Sequence, residues 1–165
     1  MSSQTNFFSR SVRQGHQFVF IEAPLNIVAD LALEWGDVIW WPKSCRLSYH
    51  ALDGSPLQEG KTYAIKIQRL YPLQWKACVT KYVPLRTVEL TLTAGHLVGQ
   101  ERIDLEERSN GTRVNHEIHY RARNLPYHLL WQIFYAHHHQ LGISTILTTI
   151  KEFSEKIYAE RRETV

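Results

Sequence analysis

Three side chains in the second half of the chain have types and spacing suited to proton transfer: Glu101, His116 and Tyr120. They lie in two alternating runs, Leu97–Arg108 and Thr112–Ala122, separated by Ser109-Asn110-Gly111. Asn-Gly is among the strongest short hairpin signals. Side chains alternate across a strand, so residues of one parity share a face. Val114, Ile118 and Ala122 mark the inner face of the second run and carry His116 and Tyr120 with them; Leu97, Gly99, Ile103 and Leu105 mark that of the first and include Glu101. An acid, an imidazole and a phenol thus share an apolar setting. A carboxylate beside an imidazole stays ionised, whereas an unpaired buried one is driven neutral. Either state serves proton transfer or orients a ligand carbonyl, and the same trio also serves as a satisfied structural cluster. Pairing about the turn puts Glu101 opposite residues 118–120, so a Glu101–Tyr120 contact is expected ahead of a Glu101–His116 dyad, with His116 nearer Ile103 or Leu105.

Parity places further candidates on the inner faces of their own strands: Tyr49, then Tyr63 with Ile65 and Ile67, then Trp75, then Leu90 and Leu92, and finally Ile118. Together with Glu101, His116 and Tyr120 they form the expected ligand-binding set. Arg69 closes the Tyr63 series, where it either binds a carboxylate or phosphate head group or snorkels to water. The run His137-His138-His139 invites a metal reading, but consecutive helical residues point about 100° apart and cannot converge on one ion. No metal is expected. Instead His137 is assigned to a buried stripe with Leu130, Ile133, Phe134 and Leu141, which adds Phe134 and His137 to the ligand-facing set. Motifs for a phosphate loop, a nucleophile elbow or a Cys-His nucleophile do not occur, so no cofactor is expected.

These residues must be positioned by a strand-rich body and a helical tail. His16–Ile21 reads as the first strand; Pro24 then starts a helix carrying Ile27, Val28, Leu31 and Ala32. Gly36 breaks it, and Asp37–Trp41 is either a second short helix or an irregular aromatic plug ending at Pro42. Strands follow at Arg46–Leu52, Lys61–Leu70, Gln74–Val83 and Arg86–Ala94, then the hairpin described above. After Pro126 the period turns helical and stays so, with a bend expected near Gly142. A sheet of this length closed by one long helix encloses a hollow. The expected cavity is bounded by Tyr63–Arg69, Val88–Leu92 and Val114–Tyr120 and measures a few hundred Å³.

Several short motifs occur in a telling order: Ile21-Glu-Ala-Pro24, Ile27-Val-Ala-Asp-Leu31, Trp41-Pro42, Leu57-Gln-Glu-Gly60 and Asn110-Gly-Thr-Arg-Val114. In that order they resemble polyketide cyclase/dehydrase-type members of the START/birch-pollen-allergen (SRPBCC) superfamily, from about His16 to about Tyr158. The resemblance implies an α+β helix-grip fold: a seven-stranded curved antiparallel sheet wrapped around a long C-terminal helix, with two short helices between strands 1 and 2. It implies an apolar cavity, with Trp40 and Trp41 near one mouth. It leaves the chemistry open, because one fold hosts many functions.

At 165 residues the chain fits one domain, expected over 15–165 after a flexible leader, 1–14. A transit peptide remains the alternative for that leader. Charged residues at 21% are ordinary for a globular protein, and the net charge of +3 is scattered, which argues against nucleic acid as a partner. Cys45 and Cys78 lack metal-ligand spacing and read as reduced residues of a cytoplasmic protein. Apolar runs are too short to span a bilayer, leaving at most transient membrane contact. The oligomeric state is open. Three readings follow in order: carriage of a small hydrophobic or amphipathic molecule such as a lipid, isoprenoid or polyketide; acid–base cyclisation or dehydration of such a molecule by Glu101, His116 and Tyr120; a filled structural protein with no ligand.

Overall fold

The computed structural model describes residues 13–69 and 71–163. Seven strands form one antiparallel sheet: β1 (Arg13–Ile21), β2 (Leu47–Ala51), β3 (Thr62–Ile67), β4 (Leu73–Val83), β5 (Thr87–Gly95), β6 (Leu97–Arg108) and β7 (Gly111–Ala122). Their order across the sheet is β1-β7-β6-β5-β4-β3-β2. Strands consecutive from β2 to β7 are neighbours, as short turns dictate, while β1 pairs with β7 at the far edge. The chain therefore crosses from one sheet edge to the other between β1 and β2, and this crossing holds helix α1 (Leu25–Ala32).

Burial alternates along β3 and β7 as the sequence pattern requires. The buried parity of each strand faces one contiguous core. Helices then close the sheet. Asn124 caps α2 (Leu125–Leu130), its Oδ1 accepting from Tyr127 N at 3.0 Å, and Pro126 occupies the first turn, where it loses no hydrogen bond. A π-helical turn, Trp131–Tyr135, joins α2 to α3 (Ala136–Glu163). Helix α3 packs on α1 and on both edge strands, β1 and β2. Gly142 permits the approach to β2, since a Cβ there would lie 3.0 Å from Leu47 Cβ. On the β1 side Lys151 Nζ donates to Phe20 O at 2.9 Å and Gln17 Nε2 to Gln140 O at 3.0 Å. The helix thus bridges the two edges of a curled sheet.

Three expectations need correction. First, β1 starts at Arg13, inside the expected leader; residues 1–12 lie outside the described residues. Second, Asp37–Trp41 is not a helix, so only α1 lies between β1 and β2. Asp37 has a positive φ of 54°, and its carboxylate receives Ala51 N and meets His50 Nδ1, each at 2.7 Å. Those bonds to β2 replace a helical turn, leaving an irregular plug in which Trp35 and Trp40 are buried. Third, β3 ends at Ile67, and Arg69 lies beyond it, exposed.

Candidate functional site

Strands β6 and β7 set the geometry. Glu101 stands opposite Ile118 and Ile103 opposite His116. His116 and Tyr120 are consequently the two diagonal neighbours of Glu101 on the inner face. The carboxylate turns to His116: Glu101 Oε1 lies 2.7 Å from His116 Nε2 and accepts from Tyr49 OH at 2.7 Å. The expected Glu101–Tyr120 contact does not form. Tyr120 OH instead accepts from Trp131 Nε1 at 2.9 Å. Both partners that decide the matter, Tyr49 on β2 and Trp131 on the π turn, reach in from across the hollow and lie outside the hairpin.

Trp35, from the connection after α1, stacks on the His116 ring at 5.7 Å and 10° and meets Tyr49 edge-on at 5.3 Å. A carboxylate oxygen against Nε2 requires that nitrogen to carry a proton. Desolvation pushes the Glu101 pKa up, but the hydrogen bond and charge of His116, with the Tyr49 hydroxyl, outweigh it and leave the value lowered. Burial, and then the adjacent Glu101 charge, hold the Tyr49 phenol well above its ordinary value. The trio is therefore an ionised acid, an imidazole and a neutral phenol sharing one oxygen.

The other carboxylate oxygen, Glu101 Oε2, is buried and has no hydrogen-bond partner. It sits beside a void of about 10 Å³ lined by Leu33, Trp35, Tyr49, Tyr63, Val88, Leu90, Glu101 and Ile103. That is room for about one water molecule. This void beside Glu101, walled by Trp35, Tyr49 and Tyr63, is far smaller than the few hundred Å³ expected of the interior. One wall is fixed by Glu34, whose carboxylate accepts from Tyr63 OH at 2.9 Å and pairs with the buried Lys61 at 2.7 Å.

A second aromatic group lies under the terminal helices. Trp131 meets Trp75 at 5.9 Å and Tyr120 at 5.3 Å, both edge-on. His139 lies among them, 5.6 Å from Trp131 by ring centroids. Trp75 Nε1 and His139 Nε2 are also buried without partners. Desolvation, only partly offset by the Glu101 charge, pushes the His139 pKa down to about 4, so this imidazole is neutral.

Of the expected ligand-facing residues, Tyr49, Tyr63, Ile65, Ile67, Trp75, Leu90, Leu92, Glu101, His116, Ile118 and Tyr120 are buried in the core. Phe134 and His137 are not. Phe134 is half-exposed, His137 faces solvent, and Ile133 and Leu141 are exposed too. The stripe that packs inward is Trp131, Tyr135, His139, Ile143, Ile146 and Ile150, which recurs at helical i+3 and i+4 spacing on the opposite face of the helix. Trp35, Trp131 and His139 went unrecognised in the sequence; the last two share a helical face with Ile143, Ile146 and Ile150, the signal that could have found them. No group of three or more His, Cys, Asp and Glu able to hold a metal ion occurs among the described residues, and no helix among them is long and apolar enough to cross a membrane.

No protein-family model and no curated protein matches the chain. Solved structures do. The crystal structure of Ara h 8.0201 aligns with a TM-score of 0.63 at 12% identity, over 87% of this chain and 98% of the other. KanY (ms6282) aligns at 0.66 and 18% identity, over 88% and 99%. TTHA0849 from Thermus thermophilus aligns at 0.67 and 13% identity, over 86% and 97%. These likenesses establish the helix-grip fold, and at such identities they speak for the fold alone.

Proposed function

We propose that the protein binds a small, mostly apolar molecule between its sheet and terminal helix, with a hydroxyl or N–H of that molecule donating to Glu101. The observation that carries this reading is the bare Glu101 Oε2 atom. An ionised carboxylate in an apolar interior is costly unless all its acceptor capacity is used. Here Oε1 takes both available donors and Oε2 takes none, beside a water-sized void. The unused Trp75 Nε1 and His139 Nε2 add a donor and a second ring nitrogen to the same interior. Because the void holds about one water, anything larger enters by displacing aromatic side chains, Trp35 being the one that both lines it and covers His116.

The test is a tryptophan-fluorescence titration with small phenols and alicyclic alcohols, comparing the wild type with Glu101→Gln. Saturable binding to the wild type, weakened roughly tenfold in the variant, is expected, since hydrogen bonds to charged groups contribute about 1.5–3 kcal/mol. Absence of saturable binding for every compound would leave a filled structural core in its place. Cofactor-free acid–base turnover of such a molecule is the second reading, favoured by one feature, the 2.7 Å Glu101–His116 pair. It requires His116→Gln to abolish product formation while binding persists.

A further inference from the structure

Outside the core, an open groove of about 500 Å³ runs between the start of β2, the turn after β3 and the π-helical turn. It is lined by Arg46, Arg69, Tyr71, Leu130, Phe134 and Tyr135. Its volume falls in the range of small-molecule sites, which hold roughly 300–1,000 Å³. One side is apolar and wet: Tyr71 is 70% exposed and Phe134 50%. The Tyr135 hydroxyl donates to Tyr71 O and fastens the floor to the β3–β4 turn.

The other side is cationic. Arg69 is held by a bond from its Nη1 to Phe134 O at 3.1 Å, a carbonyl in the π-helical turn. One fixed bond leaves most of that guanidinium's five N–H donors available. Arg46 is exposed, and no carboxylate among the described residues pairs with either guanidinium. His138 lies within the field of both. Desolvation first, then Arg69 and Arg46, lower its pKa. Two arginines left without counter-ions beside exposed aromatic surface form a head-and-tail arrangement, since guanidinium forks match carboxylate and phosphate oxygens.

We infer that this groove is a second binding site, for a single-chain amphiphile whose carboxylate or phosphate head lies between Arg46 and Arg69 and whose apolar tail lies on Tyr71, Leu130 and Phe134. It stands independently of the interior site and needs no opening of the core.

Isothermal titration with decanoate, decanol and inorganic phosphate, each below any aggregation limit, separates head from tail. Decanoate should bind saturably and roughly tenfold or more tightly than decanol, and phosphate alone should bind weakly or not at all. In Arg46→Gln, Arg69→Gln and the double variant the preference for decanoate should fall stepwise toward that for decanol, while the thermal midpoint and the Glu101→Gln phenotype stay unchanged. An anion placed between the guanidiniums should also raise the His138 pKa, read from its ring proton shifts against pH. Equal binding of decanoate and decanol to the wild type would overturn the inference, and so would charge-neutralised variants that keep the full preference. Sedimentation of the protein with phosphatidylglycerol vesicles, without binding of monomeric decanoate, would overturn it in favour of a bilayer-docking surface.

Discussion

Glu101 and His116 meet at 2.7 Å although neither faces the other across the ladder: Glu101 is opposite Ile118, and His116 opposite Ile103. The contact is diagonal, and the Tyr49 hydroxyl, arriving from β2 at the other end of the sheet order, shares the same carboxylate oxygen. One buried charge thereby ties three strands together through the hollow.

That arrangement predicts strong coupling. His116→Leu leaves the carboxylate buried with only Tyr49, which should cost about 3–5 kcal/mol. Glu101→Met/His116→Leu removes both halves of the pair and orphans only the Tyr49 hydroxyl. The double variant should therefore be more stable in urea unfolding than His116→Leu alone, with a coupling of about 2 kcal/mol. Strictly additive single effects would mean that the pair does not interact.

Acid should weaken the fold in a defined window. His139 has a folded pKa depressed from 6.5 to about 4, so between those values the unfolded chain takes up a proton that the folded one refuses. Stability is then complete above pH 6.5 and declines as pH falls to about 4, by on the order of 3 kcal/mol. Glu101, also depressed, adds a loss of the same sign at lower pH, below its ordinary 4.5. Urea midpoints measured from pH 8 to 4 should trace this decline, and His139→Gln should flatten it between 6.5 and 4.

Tyr120 is expected to be structural. Tyr120→Phe strips Trp131 Nε1 of its buried acceptor and should lower stability by about 1–3 kcal/mol, with ligand affinity changed far less than by Glu101→Gln. Affinity loss at unchanged melting temperature would reverse the assignment.

Gly99 is irreplaceable on backbone grounds. Its φ of 153° lies where side chains rarely sit, and a Cβ would come within 2.0 Å of His119 O and 2.7 Å of Tyr120 Cα. Gly99→Ala should cost at least about 2 kcal/mol in thermal or urea unfolding, because β6 must separate from β7.

Most of the fold was legible, because alternation fixes faces wherever one side of a strand is buried. Parity alone put Glu101, His116 and Tyr120 on the inner face, and the β6–β7 turn set their register to within one residue. What stayed hidden depends on contacts between distant segments. Tyr49 reaches Glu101 from 52 positions away, and no local pattern encodes that. Two apolar stripes run along the last helix, and the one carrying Trp131, Tyr135 and His139 packs inward, so His137 and Phe134 turn outward. Asp37 traded a helical turn for bonds to β2. Side-chain volume, not periodicity, decided how small the void beside Glu101 is.

The central claim, an interior site read by Glu101, is tested most directly by native mass spectrometry of the protein isolated from its host. The predicted result is additional mass of one small molecule per chain, released on unfolding and absent or much reduced in Glu101→Gln. Wild-type protein carrying no additional mass, or carrying the same mass as the variant, would contradict the account.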